Sequence, residues 1–532
     1  MKLPPPIALC LFLWTLLLTV CADPTDTTTN VGKQYANLPY PPRNPADEAV
    51  RLLSDVHPAY LDFYIFQRRV MTMPLDASPP PSTSTRVLIA GGGTGDVVVY
   101  LAEMCSRFIE GNYKYRCGGS AGVEFYHLDL SNASIDIAKE RLRMRGLLLG
   151  VEGVTVNFLQ GSLLGLEFEE GRLALGLEKD IKFDYINSVG VLHHLASPTQ
   201  GLRSLNSVLK PDGGMFIMLY GAHGRTGVYD VQSAIKDMGV DTVANPKICL
   251  DIVKSLISSL PPTHRLYKTV ELMSQGDNLW PEESEIYDIF CHSQDRAYTV
   301  EQVFEFISEG GQGELTMASW HQPVLYRPST YIKLAEETKL LTQLFMGVED
   351  EVRLFALAEK LGGSVHGKHQ FFLEKKKEGG GAIYKGRDWE VTGCGTREFQ
   401  DTVLCSSMEE DIKDFTKDMW GEKFSEAYKA DKGLNCVMQF EGATAGHGIE
   451  VKKNFPCSVM RVLSLIDCRR SVLQIWEEVV RLEGFGDSSW WRGNGGEGGL
   501  EVIWVIAKKL FEVGYVVPLL DGGGGWGEGG EL

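Results

Sequence analysis

The chain is 532 residues long, too long for one ordinary hydrophobic core, so two or three domains are expected. It is 44% hydrophobic and 23% charged, the balance of a soluble globular protein. A net charge of −18 with no extended basic run argues against sequence-independent nucleic-acid binding. The short cluster Lys375–Lys377 reads as a solvated face.

Lys2, the apolar run from Ile7 to Val20 and the small-residue site Val20-Cys21-Ala22 read as a signal peptide over residues 1–22. The run is short for a membrane span. An uncleaved anchor is the alternative, and only then would a membrane be a partner. The secretory route or an organelle is the expected location, with the cytoplasm as the other reading. Of the eleven cysteines, two lie in this leader, and the rest show neither C-x-x-C nor framework spacing. Mostly buried thiols are expected from that, with no disulfide scaffold. His366 and His369 have the spacing of half a metal site but read as exposed loop histidines, and no metal is expected.

Residues 23–43 are polar and proline-rich, hence extended, and contain QYANLPYP over Gln34–Pro41. Asn44 can cap a helix that has Pro45 in its first position and Asp47 and Glu48 in its first turn, running to about Arg69. Ser78–Thr85 is a linker that completes an N-terminal extension over residues 23–85.

The stretch Arg86–Asp96, RVLIAGGGTGD, organises the chain on its C-terminal side. Val87, Leu88, Ile89 and Ala90 form an unbroken apolar run, suited to a strand buried on both faces. Gly91, Gly93 and Gly95 then repeat as G-x-G-x-G, and Val97–Ala102 resumes as a helix. A dinucleotide fingerprint needs G-x-G-x-x-G, and the sixth place here is Asp96, so that pattern fails. Arg107–Gly122 reads as an insertion. A second strand, Phe125–Ser131, ends in Asp129, and Ser131 caps a helix carrying Ile135, Ala138 and Leu142 on one face. The only sequon, Asn132-Ala133-Ser134, opens that helix beside Asp129, so Asn132 is expected to stay unmodified in active protein. Val154–Leu159 is a third strand before Gly161-Ser162. Phe183–Val191 is a fourth, with His193 and His194 at its exit. Ser197-Pro198 starts a helix, Pro211–Gly214 is a turn and Met215–Tyr220 a fifth strand. Strands alternating with helices call for a Rossmann-like α/β fold with a mostly parallel sheet over residues 86–221. Residues 222–377 read as a helical cap, ending in further strands. Residues 378–454 are a linker and an unassigned stretch. Three helices and a short strand over 455–521 make a small winged-helix-like C-terminal domain, before a glycine-rich tail at 522–532 that reads as disordered.

An acid at the end of the second strand can reach the ribose hydroxyls of a ligand held by the first turn, and capping the next helix is the other role open to it. With the glycine turn and Asp129 together, residues 86–220 resemble the class I S-adenosylmethionine (SAM)-dependent methyltransferases. Val87–Gly95, His127–Ser131, Phe183–Leu195 and Leu209–Tyr220 resemble that family's motifs in its order. QYANLPYP, the stretch Tyr220–Arg225 and Asp288–Thr299 (DIFCHSQDRAYT) resemble a bacterial-type small-molecule subgroup. Ile89 stands where many members carry an acid, and Ser162 where an acid often binds the adenine amine. The resemblance implies methyl transfer to a small-molecule or peptide acceptor, with SAM as cofactor. It places SAM against Ala90, Gly91, Gly93, Thr94, Gly95, Asp129, Leu130, Ser162 and Ser188. It places the acceptor near His193, His194, Tyr220, Arg225, His292 and Asp295. For His193 and His194, general-base work and packing or cofactor contact both stay open. For the other four a structural role is equally open. A catalytically silent SAM-binding regulator or scaffold is the competing function. Leu463–Val479 resembles PqqD-like peptide-binding modules of winged-helix type, which would imply a peptide or protein partner. Nothing in the residues speaks to oligomeric state.

Overall fold

The computed structural model of the chain describes residues 25–48, 56–74, 84–110, 115–118, 122–148, 153–267, 283–332 and 339–376, and short pieces at 384, 404–406, 435–440, 451–456, 474–475 and 516–518. The expected leader, the linker at 378–381, the helices of the winged-helix-like domain apart from Gln474 and Ile475, and the glycine-rich tail lie outside the described residues. Among the described residues no helix is long and apolar enough to cross a membrane.

The N-terminal elements are α1 (Thr25–Asn37), α2 (Pro45–Glu48), α3 (Pro58–Leu61), a π-helical turn Asp62–Phe66, β1 (Met73–Pro74), β2 (Thr85–Ala90), α4 (Asp96–Glu110), β3 (Tyr115–Arg116), β4 (Val123–Asp129) and α5 (Asn132–Met144). Next are β5 (Val154–Gln160), α6 (Glu169–Ala174), β6 (Phe183–Val189), α7 (Pro198–Ser207), β7 (Leu209–Tyr220), α8 (Thr226–Asp237), α9 (Pro246–Ser259) and α10 (Glu283–Phe290). Last come α11 (Val300–Gly310), β8 (Leu315–Trp320), α12 (Lys339–Met346), α13 (Glu351–Gly362), β9 (Lys368–Lys375), β10 (Leu404–Ser406), β11 (Asn435–Phe440), β12 (Val451–Pro456) and β13 (Val516–Pro518).

Seven strands form the main sheet in the order β5-β4-β2-β6-β7-β9-β8. The five from β5 to β7 pair in parallel, and β9 alone runs against its two neighbours. The apolar run of β2 sits between β4 and β6, with Val87, Leu88, Ile89 and Ala90 all buried, as an unbroken hydrophobic strand requires. The further strands expected at the end of the cap are β8 and β9, which complete this sheet. The cap itself is α8, α9 and α10, joined by an apolar cluster of Val228, Val231, Val253, Ile286, Tyr287 and Phe290, with Leu38 packed against it.

Several expectations are corrected. The stretch 23–43 is not extended throughout, because Thr25–Asn37 is helical. Val31 and Gln34 are buried on one side of it, and the helix stops where Pro39 removes an amide donor. The helix expected from Asn44 to Arg69 is broken. His57 is extended, at φ −59° and ψ 143°, accepts from the Ala59 amide and caps a new helix at Pro58. A proline forces this, since it disfavours helical backbone in the residue before it. The expected insertion at 107–122 is in part the rest of α4, which runs to Glu110, and β3 then pairs with β1. Pro211–Gly214 lies within the span of β7, where the register jumps from Phe183↔Leu209 to Tyr185↔Gly214, so the expected turn is a bulge. The short strand expected near Tyr515–Leu519 is described as β13, paired with β10, and most of the rest of 455–521 lies outside the described residues.

The cysteine expectation is corrected most firmly. Cys105 and Cys117 form a disulfide across 12 residues, and Cys249 and Cys291 form one across 42. The spacing hid both, because their partners meet only when a helix end is folded onto a neighbouring element. His366 and His369 are not exposed loop residues either. Both are buried. His366 Nε2 lies 3.0 Å from the Tyr331 hydroxyl, and His369 bridges Tyr326 Oη at 2.8 Å and the Tyr298 carbonyl at 2.9 Å.

The second disulfide has a functional consequence. Cys291 directly precedes His292 and follows the last turn of α10, tying it to α9. Replacing Cys249 and Cys291 with serine should cost roughly 2–4 kcal/mol of stability. It should also lower turnover more than cofactor affinity, because the freed Cys291 directly precedes His292. Denaturant unfolding and cofactor calorimetry on the same sample check this, and unchanged turnover would contradict it.

Candidate active site

Two groups of residues converge at the carboxyl ends of the parallel strands, the place where open α/β sheets bind ligands. The first is built on the turn after β2. Gly91, Gly93 and Gly95 take φ of 76°, 53° and 99°, a region that favours glycine. The Gly91 and Gly92 amides both reach the Leu128 carbonyl, at 2.8 and 3.0 Å. Asp129, at the end of β4, accepts the Gly93 amide on one oxygen and the Ser131 amide on the other, both at 2.8 Å. Burial raises its pKa, and those backbone donors pull it back.

A Cβ on Gly93 would lie 2.6 Å from the Tyr40 carbonyl oxygen. The chain itself therefore makes the close approach that was expected of a ligand at this glycine. Residues 40–43 lie across the turn. Thr94 Oγ1 donates to the Pro41 carbonyl at 2.8 Å, and Arg43 grips Asp96 with two bonds of 2.9 and 2.8 Å. The buried Arg141 donates to Asp96 at 2.7 Å and to the Thr94 carbonyl at 2.9 Å. Burial opposes ionisation of Asp96, yet Arg43 and Arg141 hold its carboxyl below the usual range. Arg43, Asp96 and Arg141 were not singled out from sequence; an acid just after the third glycine is the one signal that could have found the clamp.

Of the expected cofactor contacts, Ala90, Gly91, Gly93, Thr94, Gly95, Asp129 and Leu130 come together on this turn and the end of β4. Ser162 follows β5 and caps a 3-10 turn by accepting the Leu164 amide. Gly161 beside it donates to the Asp129 carbonyl at 2.9 Å. Ser188 is fully buried near the end of β6, and its hydroxyl has no hydrogen-bond partner. Ile89 is buried in β2.

Under the turn sits His127, which sequence reading passed over. It is fully buried, its Nε2 is 3.2 Å from the Gly93 carbonyl, and a Cβ on Gly92 would strike its ring. Burial lowers its pKa to about 4, and burial alone lowers that of His57 to about 3. Unfolding returns both to near 6.5. Between about pH 6.5 and 4 the unfolded chain then binds more protons, so stability should fall as pH falls, by up to about 1.4 kcal/mol per pH unit per histidine. Urea midpoints at pH 7 and pH 5 test the sign, and a higher midpoint at pH 5 would refute it.

The second group sits at the ends of β6 and β7, under the cap. His193 and His194 close a 3-10 turn after β6. The His193 ring lies 3.9 Å from the Tyr220 ring and 4.3 Å from that of His194, and His194 stacks on His292 at 3.8 Å. Arg225 and Asp295, each 1% exposed, pair at 2.9 Å, and the guanidinium lies 3.7 Å from the centre of the Tyr220 ring. All six expected acceptor-side residues are thus brought together.

Two further residues complete the group. Asp288 accepts the Tyr35 hydroxyl at 2.8 Å and the Tyr220 hydroxyl at 3.2 Å. The Gln294 amide donates to His292 Nδ1 at 3.0 Å, so His292 Nε2 carries the proton and faces Tyr35 Oη at 3.1 Å. A short relay results, from His292 through Tyr35 to Asp288. Burial raises the Asp288 carboxyl, as it raises the phenols of Tyr35 and Tyr220. It also pushes His193 and His292 well below the usual imidazole range, with His194 adding to both shifts. Burial therefore favours the neutral form of both rings. Tyr35 and Asp288 lay inside the quoted motifs, but nothing in their spacing marked them as partners.

Two sets of three side chains each bring one ligand atom apiece within 4.8 Å of one another: His193, His194 and Asp295, and His194, Asp288 and His292.

The motif-bearing sheet has known relatives. Residues 88–216 match the methyltransferase domain family. The matched span runs from β2 into β7 and so contains the glycine turn, Asp129, His193 and His194. The resemblance drawn from the motifs to class I methyltransferases holds over this span. An uncharacterized protein from Synechococcus sp. is 28% identical over 230 residues, which are 42% of this chain and 46% of the relative. The matched part thus spans about half the length of that relative. Among solved structures, PKMT2 from Rickettsia typhi is 14% identical, with a TM-score of 0.49, covering 88% of this chain and 76% of its own. The same protein in complex with AdoHcy is 13% identical, with a TM-score of 0.43, covering 90% and 100%.

Proposed function

We propose that the chain is a SAM-dependent methyltransferase acting on a small-molecule or peptide acceptor. The observation that carries this is a coincidence of place. The span matching the methyltransferase domain holds both a glycine turn braced by Asp129 and, at a neighbouring strand end, the buried pair His193 and His194. The residues present fit the cofactor. Asp129 spends one bond from each oxygen on backbone amides, and a carboxylate offers about four acceptor sites, so it retains capacity for ribose hydroxyls. The orphaned hydroxyl of Ser188 lies at the adjoining strand end.

When bound, SAM supplies an already activated methyl group. The chain's own part is to orient and to exclude water. Tyr35 and Tyr220 hold Asp288, the 42-residue disulfide loop fixes the position of His292, and His193 or His194 can take the acceptor's proton. Tyr40 and Arg43 cover the turn from above, and they must allow the cofactor in.

Calorimetry with SAM and with NAD, followed by a search for S-adenosylhomocysteine formed with a pool of acceptors, tests the reading. Preference for NAD would overturn it. SAM binding without turnover on any acceptor would favour the silent regulator.

We also infer residence in an oxidising compartment of the secretory route or an organelle. Two disulfides support that, beside the apolar N-terminal run. The sequon at Asn132 lies in the first turn of α5 with Ser134 buried, so a glycan on active protein, seen as glycosidase-sensitive mobility, would contradict the unmodified state expected there.

A further inference from the structure

We propose that His193, His194 and Asp295 form a binding site for a divalent transition-metal ion of the zinc type. Only the role of such an ion in the reaction rests on the methyltransferase reading; its binding does not.

Three observations carry the proposal. The first is proximity: one ligand atom from each of the three lies within 4.8 Å of the others, from side chains on the turn after β6 and in the segment after α10. The second is availability. His193 is fully buried and neither ring nitrogen has a partner in hydrogen-bond geometry, and Asp295 Oδ1 is equally without one. The nearby Met218 carbonyl favours a proton on the His193 ring and so can orient it. The other ring nitrogen of this buried imidazole faces nothing, which is costly unless something binds it. The third is orientation. The Gln294 carbonyl lies 2.9 Å from His194 Nδ1, which must then carry the hydrogen and leave the Nε2 lone pair unused. Asp295 Oδ2 is held by Arg225 at 2.9 Å and by Gln232 at 3.2 Å, which leaves Oδ1 as the ligand atom. A backbone carbonyl behind a histidine and hydrogen bonds behind a carboxylate are how metal ligands are normally aimed.

The alternative set, His194 with Asp288 and His292, lacks that availability. Both nitrogens of His292 and both oxygens of Asp288 already face partners. Two imidazoles and a carboxylate suit zinc or iron(II) better than magnesium or calcium. Three protein ligands leave a coordination position open at the ends of β6 and β7; with the ion bound, that position would hold the acceptor's donor atom, and neither His193 nor His194 would then serve as the base.

The test uses the full chain, stripped with a chelator, dialysed and titrated with Zn2+ by calorimetry and with Co2+ by visible absorption. One ion per chain is expected, with Co2+ giving the absorption bands of a low-coordinate nitrogen and oxygen site. His193→Ala should weaken binding by at least roughly tenfold, and the half-buried His264→Ala should not. His193→Gln, which keeps a polar side chain, serves if the alanine variant does not fold. No stoichiometric binding, or binding that both His193 variants leave intact, overturns the proposal. SAM calorimetry on the stripped protein separates the two readings. SAM bound without any metal uptake sinks this inference and leaves the methyltransferase standing; metal uptake without SAM binding does the reverse.

Discussion

Arg225→Ala should cost about 3–5 kcal/mol of stability, because it leaves the Asp295 carboxylate buried without its cation. Both side chains are 1% exposed and meet at 2.9 Å, so solvent cannot take over the lost charge. The variant should also remove the guanidinium lying 3.7 Å from the Tyr220 ring centre and so loosen the ring that lies against His193. Turnover is expected to fall by at least roughly tenfold, while SAM affinity changes by less than about threefold, under 1 kcal/mol. Most of the expected cofactor residues follow β2 and β4, on the other side of the sheet order from β7, which leads to Arg225. Pairing the change with Asp295→Asn should recover part of the stability, since the buried charge then disappears from both partners. Denaturant unfolding, SAM calorimetry and turnover on the same preparations decide the matter. A loss of turnover at unchanged stability would make Arg225 an acceptor contact and not a brace. An equal loss of SAM binding would mean that the two halves of the site are not separate.

The second large effect is expected at Asp129. Its carboxylate joins the glycine turn to the start of α5 through the Gly93 and Ser131 amides. Asp129→Ala leaves both amides without that acceptor, at about 1–3 kcal/mol for each donor that water cannot reach. It also removes the charged acceptor proposed for the ribose, at roughly 1.5–3 kcal/mol. SAM binding should drop below detection while the seven-stranded sheet still folds, since the side chain lies at the strand end and outside the core clusters. Asp129→Asn should fare little better, because only one of its two side-chain heavy atoms can accept an amide proton. Gly93→Val is expected to act through a different cause. At φ 53° a β-branched residue is strained, and its Cβ would push the Tyr40 carbonyl away. Calorimetry on the three variants, with circular dichroism as a check on folding, tests this. Unchanged affinity in both Asp129 variants would remove Asp129 from the cofactor site.

The sequence by itself determined the parallel part of the sheet and the glycine turn with an acid one strand later. Both rest on short-range patterns: an unbroken apolar run for a strand covered on both faces, glycines where positive φ is needed, and an acid one strand later. Ala90 through Gly95, Asp129, His193 and His194 were legible because each sits at a strand exit, and strand exits in a parallel sheet all point one way. The same local logic failed in the N-terminal segment. Its prolines suggested extended chain, but the helix Thr25–Asn37 forms ahead of them, buries Val31 and Gln34, and lays Tyr35 against Asp288. Only the tertiary structure decided contacts of that kind. Tyr35 and Asp288 are 253 positions apart, Arg43 and Asp96 are 53, and the cysteines of the second disulfide are 42. The local pattern at either end of such a pair carries no record of the other. His366 and His369 illustrate the cost of reading them locally. Beside glycine and lysine they resemble a polar loop, yet β9 enters the sheet next to β7 and closes them under α13 and the turn at Pro323–Tyr326. Burial of a polar side chain is set by what packs over it, and here the covering elements come from other parts of the chain.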